Sequence, residues 1–236
     1  MKTKVTENRR VKKAQNLAPR NAPVQGRSKL RSKQIIDATG ELLERVGLDD
    51  LNTILIAKEV GISVGSLYHY FPNKHAILYA MGSRWLETVE AALDEIARWP
   101  VEDLPLETLV EQLLGRKLKT YKQHKAILSL VQAMFSVPEL RELDEQHDEL
   151  EISRMAEVFK RIGINRHLKE RERLGRLYLE VTHSVMLVVV NQKGERAKRT
   201  LADLKMIICN LLGQYSPKNT YDGVRCSQSV RASLTA

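Results

Sequence analysis

Polar chemistry gathers in one short segment, ISVGSLYHYFPNKHAIL. Tyr68, His69 and Tyr70 stand in a row with Phe71, and Lys74 and His75 follow a Pro-Asn turn signal. A tyrosine hydroxyl is a rigid hydrogen-bond donor at low entropic cost, which suits a phosphate. Lys74 and His75 would fall in the first turn of a helix, where the macrodipole is already positive and an extra cation is disfavoured. An anion placed there removes the conflict. Both features therefore point to recognition of a polyanion. A second cluster, Glu145, His147, Asp148, Glu149 and Glu151, contains an i,i+4 His147–Glu151 pair with the spacing to hold a metal. No further histidine or cysteine lies nearby, so the pattern reads as a solvated helix face and no metal is expected. The chain carries no phosphate-loop, HExxH or paired-carboxylate motif, so neither catalysis nor a cofactor is expected.

The elements that position these residues read as helices throughout, and no segment alternates like a half-buried strand. A first helix is predicted from Ser28 to Val46, with Gly47 as its left-handed cap. Asn52 and Thr53 can cap a short second helix through Val60, and Ser63 a third through Phe71. Asn73 can cap a long fourth helix to about Trp99. Leu106, Leu109, Val110, Leu113, Leu114, Leu118 and Tyr121 form a 3.6-period stripe, and Ile127, Leu128, Val131, Met134 and Phe135 form another. Pro138 suits the first turn of a helix ended by Gly163. A further helix from about Leu174 stops near Gly194. The last is predicted to begin at Thr200, with Asp203 completing a capping box.

Within this frame, Thr53 to Phe71 has the pattern of a helix-turn-helix. Ile56, Val60, Ile62 and Leu67 face a shared core, Ala57 is small where two short helices cross, and Gly61 supplies the turn. The second helix would enter the major groove of DNA. Leu67 and Phe71 lie one turn apart and can both point inward, which turns Tyr68 and His69 outward. Ordinary partial packing is the alternative for Tyr68 and Tyr70.

Charge agrees with this reading. The net charge is +9, but residues 1–34 hold eleven basic side chains against Glu7 alone, a local +10, and the rest of the chain sums to −1. Such an arm is either an electrostatic footprint on a polyanion or a solvated tail, and the two are compatible. Two cysteines without a CxxC, Cys209 and Cys226, fit a reducing cytosol. The longest strictly apolar run, Val185 to Val190, falls far short of the roughly 20 residues needed to span a bilayer. The N-terminus lacks the apolar stretch of a signal peptide.

The run IAKEVGISVGSLYHYFPNKHAIL, extended back through IIDATGELLERVGLDDLN, resembles the DNA-binding domain of TetR-type transcriptional regulators. The likeness covers about Ser28 to Trp85. It implies an all-α fold: a three-helix helix-turn-helix domain joined by a long fourth helix to an all-helical ligand-binding and dimerisation domain. It implies base-edge contacts for Val64, Gly65 and Ser66, and a mixed base and backbone position for His69. Phosphate contacts are implied for Tyr68, Tyr70 and Lys74, and for the second-helix cap at Asn52 and Thr53. His75 is either a second phosphate contact or merely exposed. Ile54 and Leu55 depart from the family pattern, where polar residues are common; they either cover the core more fully or remove a backbone contact.

The expected organisation is a flexible basic arm over 1–26, a DNA-binding domain over 27–74, an effector and dimerisation domain over 75–215, and a disordered tail over 216–236. By the resemblance, the chain is a homodimeric cytoplasmic repressor of a palindromic DNA operator, released by a small apolar or aromatic ligand. The alternative is the same fold without a small-molecule effector, controlled by a protein partner. Met81, Trp85, Val89, Tyr121, Met134, Phe135, Met155, Phe159 and His183 are the large or amphipathic candidates for a ligand pocket, and each alone reads equally as core. VMLVVV is apolar on more than one face, so its helix packs on its own core and on a second subunit, or sits centrally in a monomer. The expected dimer contacts are Val181, Val185, Val188, Leu204, Ile208 and Leu211.

Overall fold

A computed structural model describes residues 26–217 except 124, 125, 127, 128 and 132–136; of 138 and 139 only the backbone is described. Met134, Phe135, most of the basic arm and nearly all of the tail lie outside the described residues. Among those described there is helix and no strand. The helices are α1 (Gly26–Asp50), α2 (Thr53–Val60), α3 (Val64–Tyr70), α4 (Lys74–Ala97), α5 (Leu106–Gln123), α6 (Pro138–Arg161), α7 (Leu168–Asn191) and α8 (Gly194–Gly213). Contacts divide the chain into two compact units, Met1–Ala80 and Met81–Ala236.

In the first unit, Gly47 at φ 77° interrupts the helical path of α1, as its sequence position predicts. α2 starts where the Asn52 carboxamide oxygen accepts from the N–H of Ile54 and Leu55 at 3.1 and 3.0 Å. It stops at Gly61, whose left-handed φ of 72° lets the N–H groups of Gly61 and Ile62 turn back to the carbonyls of Lys58 and Ala57. Ser63 accepts from Ser66 N–H at 3.0 Å and opens α3, and Asn73 accepts from Ala76 N–H at 2.8 Å and opens α4. Ile35, Leu43, Leu51, Ile56, Ala57, Leu67 and Phe71 form the core, each no more than 2% exposed. The side chains that cross from α2 to α3 are therefore those the 3.6-residue period selects.

In the second unit, α6 packs most extensively on α7, and α7 on α8. Gly175 of α7 lies so close to α6 that a Cβ there would stand 2.9 Å from the Ile152 carbonyl oxygen. The Arg161 guanidinium donates to the carbonyls of Ala97 and Trp99 and pairs with Glu102, tying the end of α6 to the α4–α5 connection.

Three expectations change. The last helix starts at Gly194, not Thr200: the chain turns at Gly194 with φ 60° directly after α7. Thr200 lies six residues inside it, donating to the Gln192 side-chain oxygen at 2.7 Å rather than capping. Ser216 is buried at 6% exposure and donates to the Ile162 carbonyl, and Pro217 packs on Gly163, so ordered chain extends past Tyr215. The acidic face of α6 is solvated only in part: Glu145 and Glu149 are exposed, but His147 and Glu151 are each only 4% exposed.

Candidate functional site

The first unit presents an outward face built by α2, α3 and the N-terminus of α4. Tyr68 and His69 are exposed, Tyr70 is half-buried, and Leu67 and Phe71 anchor the helix from behind. The Tyr68 hydroxyl lies 3.1 Å from Thr53 Oγ1, so the two proposed phosphate donors, fifteen residues apart, already touch. His69 and Tyr70 pack edge to face at 5.6 Å between ring centroids. Val64 is half-buried, while Gly65 and Ser66 at the start of α3 are exposed; the Ser66 hydroxyl sits 2.9 Å from that of Ser63. Ile54 is 66% exposed, so it does not seal the core.

Lys74 is placed differently from a free phosphate ligand. Its ammonium donates to the carbonyls of Leu48 and Leu51 at 3.2 and 3.0 Å, closing the α1–α2 connection. An ammonium has three donors, so one remains for an anion. The apparent misfit of a lysine on a helix start is thus met in part by backbone carbonyls. In the sequence Arg31 stands only as one charge of the basic N-terminal segment. In the structure Arg31 of α1 borders a surface depression of about 290 Å³ together with Ile62, Ser66, His69 and Tyr70.

The second unit holds a small cavity of about 30 Å³ among α4, α5, α6 and α7, room for about one water. Of the predicted pocket residues, Trp85, Val89, Tyr121 and Met155 line it. His183 adjoins through Tyr121, Phe159 packs behind on Tyr178 at 6.0 Å between centroids, and Met81 is buried away from the lining. The side chains that sequence reasoning missed are the polar ones. Lys117 and Glu151 form a hydrogen-bonded ion pair, 10% and 5% exposed, and the Lys117 ammonium stands 5.5 Å over the Tyr178 ring. His147 stacks on Trp85 at 6.3 Å and approaches the second Glu151 oxygen at 3.7 Å. A legible signal existed: Lys117 lies four residues from both Leu113 and Tyr121, a cation inside an apolar stripe. Among the described residues no group of three or more potential ligands could hold a metal.

Tyr121 and His183 meet at 2.5 Å, hydroxyl to Nδ1. Burial, then the negative charge of Glu151, raises the Tyr121 phenol well above its usual range. Burial, then the positive charges of Lys117 and His147, lowers His183 to about 4. The protonated phenol can donate to a neutral imidazole. Above the unfolded value near 6.5 neither state of His183 binds a proton, and its neutral form costs nothing. As pH falls from about 6.5 to 4 the unfolded chain takes up a proton that the folded chain refuses, so stability drops, by on the order of 2–3 kcal/mol. Urea unfolding across that window should show this loss, and His183→Gln should flatten the slope; an unchanged slope would exclude His183 as its source.

Comparison with known proteins agrees with both units. The family described as "Bacterial regulatory proteins, tetR family" matches residues 35–81, and "Tetracyclin repressor-like, C-terminal domain" matches residues 105–212. The HTH-type transcriptional regulator BetI of Pseudomonas aeruginosa is 30% identical over 148 residues, 59% of this chain and 72% of that protein. The BetI regulator of Ectopseudomonas mendocina is 28% identical over 149 residues, 59% of this chain and 73% of its own. A transcriptional regulator from Rhodococcus sp. Rha1 shares the fold with a TM-score of 0.61 at 16% identity, covering 78% of this chain and 95% of that one. A TetR transcription regulator from Haloarcula marismortui does so with a TM-score of 0.58 at 20% identity, covering 80% and 99%. A helix-turn-helix with an exposed tyrosine-bearing third helix, followed by a helical domain of this kind, places the chain in the TetR family of DNA-binding transcriptional regulators.

Proposed function

We propose that this regulator is a homodimeric repressor, released from a palindromic operator when a small ligand enters the cavity of the second unit. The carrying observation is the buried Lys117–Glu151 pair. A buried ion pair is rarely a net gain in stability over apolar packing. Ionisable groups desolvated inside a pocket are instead characteristic of ligand sites. Ligand binding would favour a state whose recognition helices no longer match half-sites one turn, about 34–36 Å, apart, limited by its differential affinity for the two states. The cytoplasm is the compartment where such a protein meets DNA, and no described helix is long and apolar enough to cross a membrane.

The dimer is supported by an apolar face on α7 and α8. Leu177, Val188, Met206 and Ile207 are 38–50% exposed, and Val181, Val185 and Leu211 border them half-buried. Leu204 and Ile208, expected at the interface, are fully buried within their own chain and belong to its core. A second reading, the same fold without a small-molecule effector, is favoured by the small size of the cavity.

Footprinting the purified protein on genomic DNA supplies an operator on which both readings can be tested. Thr53→Val and Tyr68→Phe should each weaken operator binding by about tenfold. If the touching hydroxyls serve one phosphate, the double variant should lose little more than either single one. Unaltered affinity in both would remove them from the interface. Lys74→Ala is a poorer probe, since it also releases the Leu48 and Leu51 carbonyls. Release of that operator by small-molecule extracts of the source cells supports the repressor reading, whereas release only by protein fractions supports the second.

A further inference from the structure

We infer that the ligand is an organic cation with an apolar body, and that the Lys117 ammonium holds the position its charged group would take. The inference rests on the cavity being the effector site. The ammonium of Lys117 is held as a bound cation would be, with the Glu151 carboxylate on one side and the face of Tyr178 on the other. Such a cation over an aromatic face is a recognised binding mode for alkylammonium groups. Trp85 and Tyr121, edge to face at 5.1 Å, form the adjoining wall. Val89, Leu93 and Ile96 of α4 continue the lining away from the charges and give an apolar body its surface.

The sign of the ligand charge follows from which partner can leave. Glu151 is short, sits in the middle of α6, and has its second oxygen near His147. An anion competing for Lys117 would strand that carboxylate in a site where it is 5% exposed, a costly state. A cation competing for Glu151 displaces Lys117 instead. Lys117 belongs to a half-buried position of α5, and its long stem can carry the ammonium to water. The exchange leaves the charge of the pocket unchanged and vacates the space of a lysine side chain, so the cavity of about 30 Å³ enlarges as the ligand enters.

Three probes with one tail separate the possibilities: hexyltrimethylammonium, hexanol and hexanoate, titrated into the full-length protein with calorimetry and operator release as readouts. Hexyltrimethylammonium should bind about tenfold or more tightly than hexanol, and hexanoate more weakly still. Lys117→Gln should raise cation affinity, and Glu151→Gln should lower it by about tenfold or more. The double variant, with neither charge buried, guards against misfolding of Glu151→Gln and should lose the preference for cation over alcohol. Equal binding of hexanol, preferred binding of hexanoate, or no cation binding at millimolar concentration would overturn the inference. Cation binding without operator release upholds the site and refutes ligand-controlled release; release by hexanoate or hexanol does the reverse.

Discussion

Glutamate at both Val188 and Ile207 should convert the proposed homodimer to a monomer and abolish tight operator binding. Both side chains are apolar and nearly half exposed, at 48% and 45%, on adjacent helices. In a two-fold interface each substitution occurs twice, so four carboxylates would be desolvated without partners. Neither position belongs to the core of its own chain, so each subunit should keep its helical content and its denaturation profile apart from the contribution of assembly. Operator affinity should fall between about a hundredfold and ten-thousandfold, the loss expected when two linked half-site contacts become independent. Light scattering after gel filtration reads the oligomeric state and fluorescence anisotropy reads DNA binding. An intact dimer carrying both glutamates would move the interface elsewhere.

Replacing Gly175 by valine should be the most damaging single change in the second unit. The new Cβ would press on backbone, the Ile152 carbonyl oxygen at 2.9 Å and Ile152 Cα at 3.4 Å, and not on a side chain that can turn away. α6 and α7 would have to separate along the most extensive helix pair in the fold. Overpacking typically costs about 1–3 kcal/mol, and the rigid backbone contact here puts this change at the upper end; in a protein of this size each kcal/mol lowers Tm by about 2–4 °C. Gly115→Ala is the matching control. Nothing lies within 4 Å of its Cβ position on α5, so the change should stabilise by up to about 1 kcal/mol through helix propensity alone. Differential scanning calorimetry distinguishes the two, and equal melting of Gly175→Val and wild type would mean that the crossing is looser than its geometry.

The DNA-binding unit was legible in the sequence because its determinants are local. Asn52, Gly61, Ser63 and Asn73 act on hydrogen bonds two to four residues away, and Ile56, Leu67 and Phe71 are buried as their spacing requires. What escaped was set by distant packing. Lys74 finds carbonyls 23 and 26 residues back, and no local pattern encodes that. Glu151 and His147 read as solvated because α6 is rich in acids, whereas their burial depends on where α4 and α5 lie. On α8 apolar residues occur on both sides, so sequence alone could not divide inward Leu204 and Ile208 from outward Met206 and Ile207. The start of α8 was misread because Thr200 and Asp203 imitate a cap inside a helix that had already begun at Gly194.

The close crossing at Gly175 also bears on the order of events during folding. α6 and α7 are neighbours in the chain, joined by the short connection that follows Arg161, so their contact closes a small loop at little entropic expense. Contacts of low sequence separation form early and speed folding. The α5–α8 contact joins segments far apart in the chain and must come later. Newly made chain would then assemble the α6–α7 hairpin first and dock α8 last, leaving the proposed dimer surface to be completed only when the rest of the domain is in place.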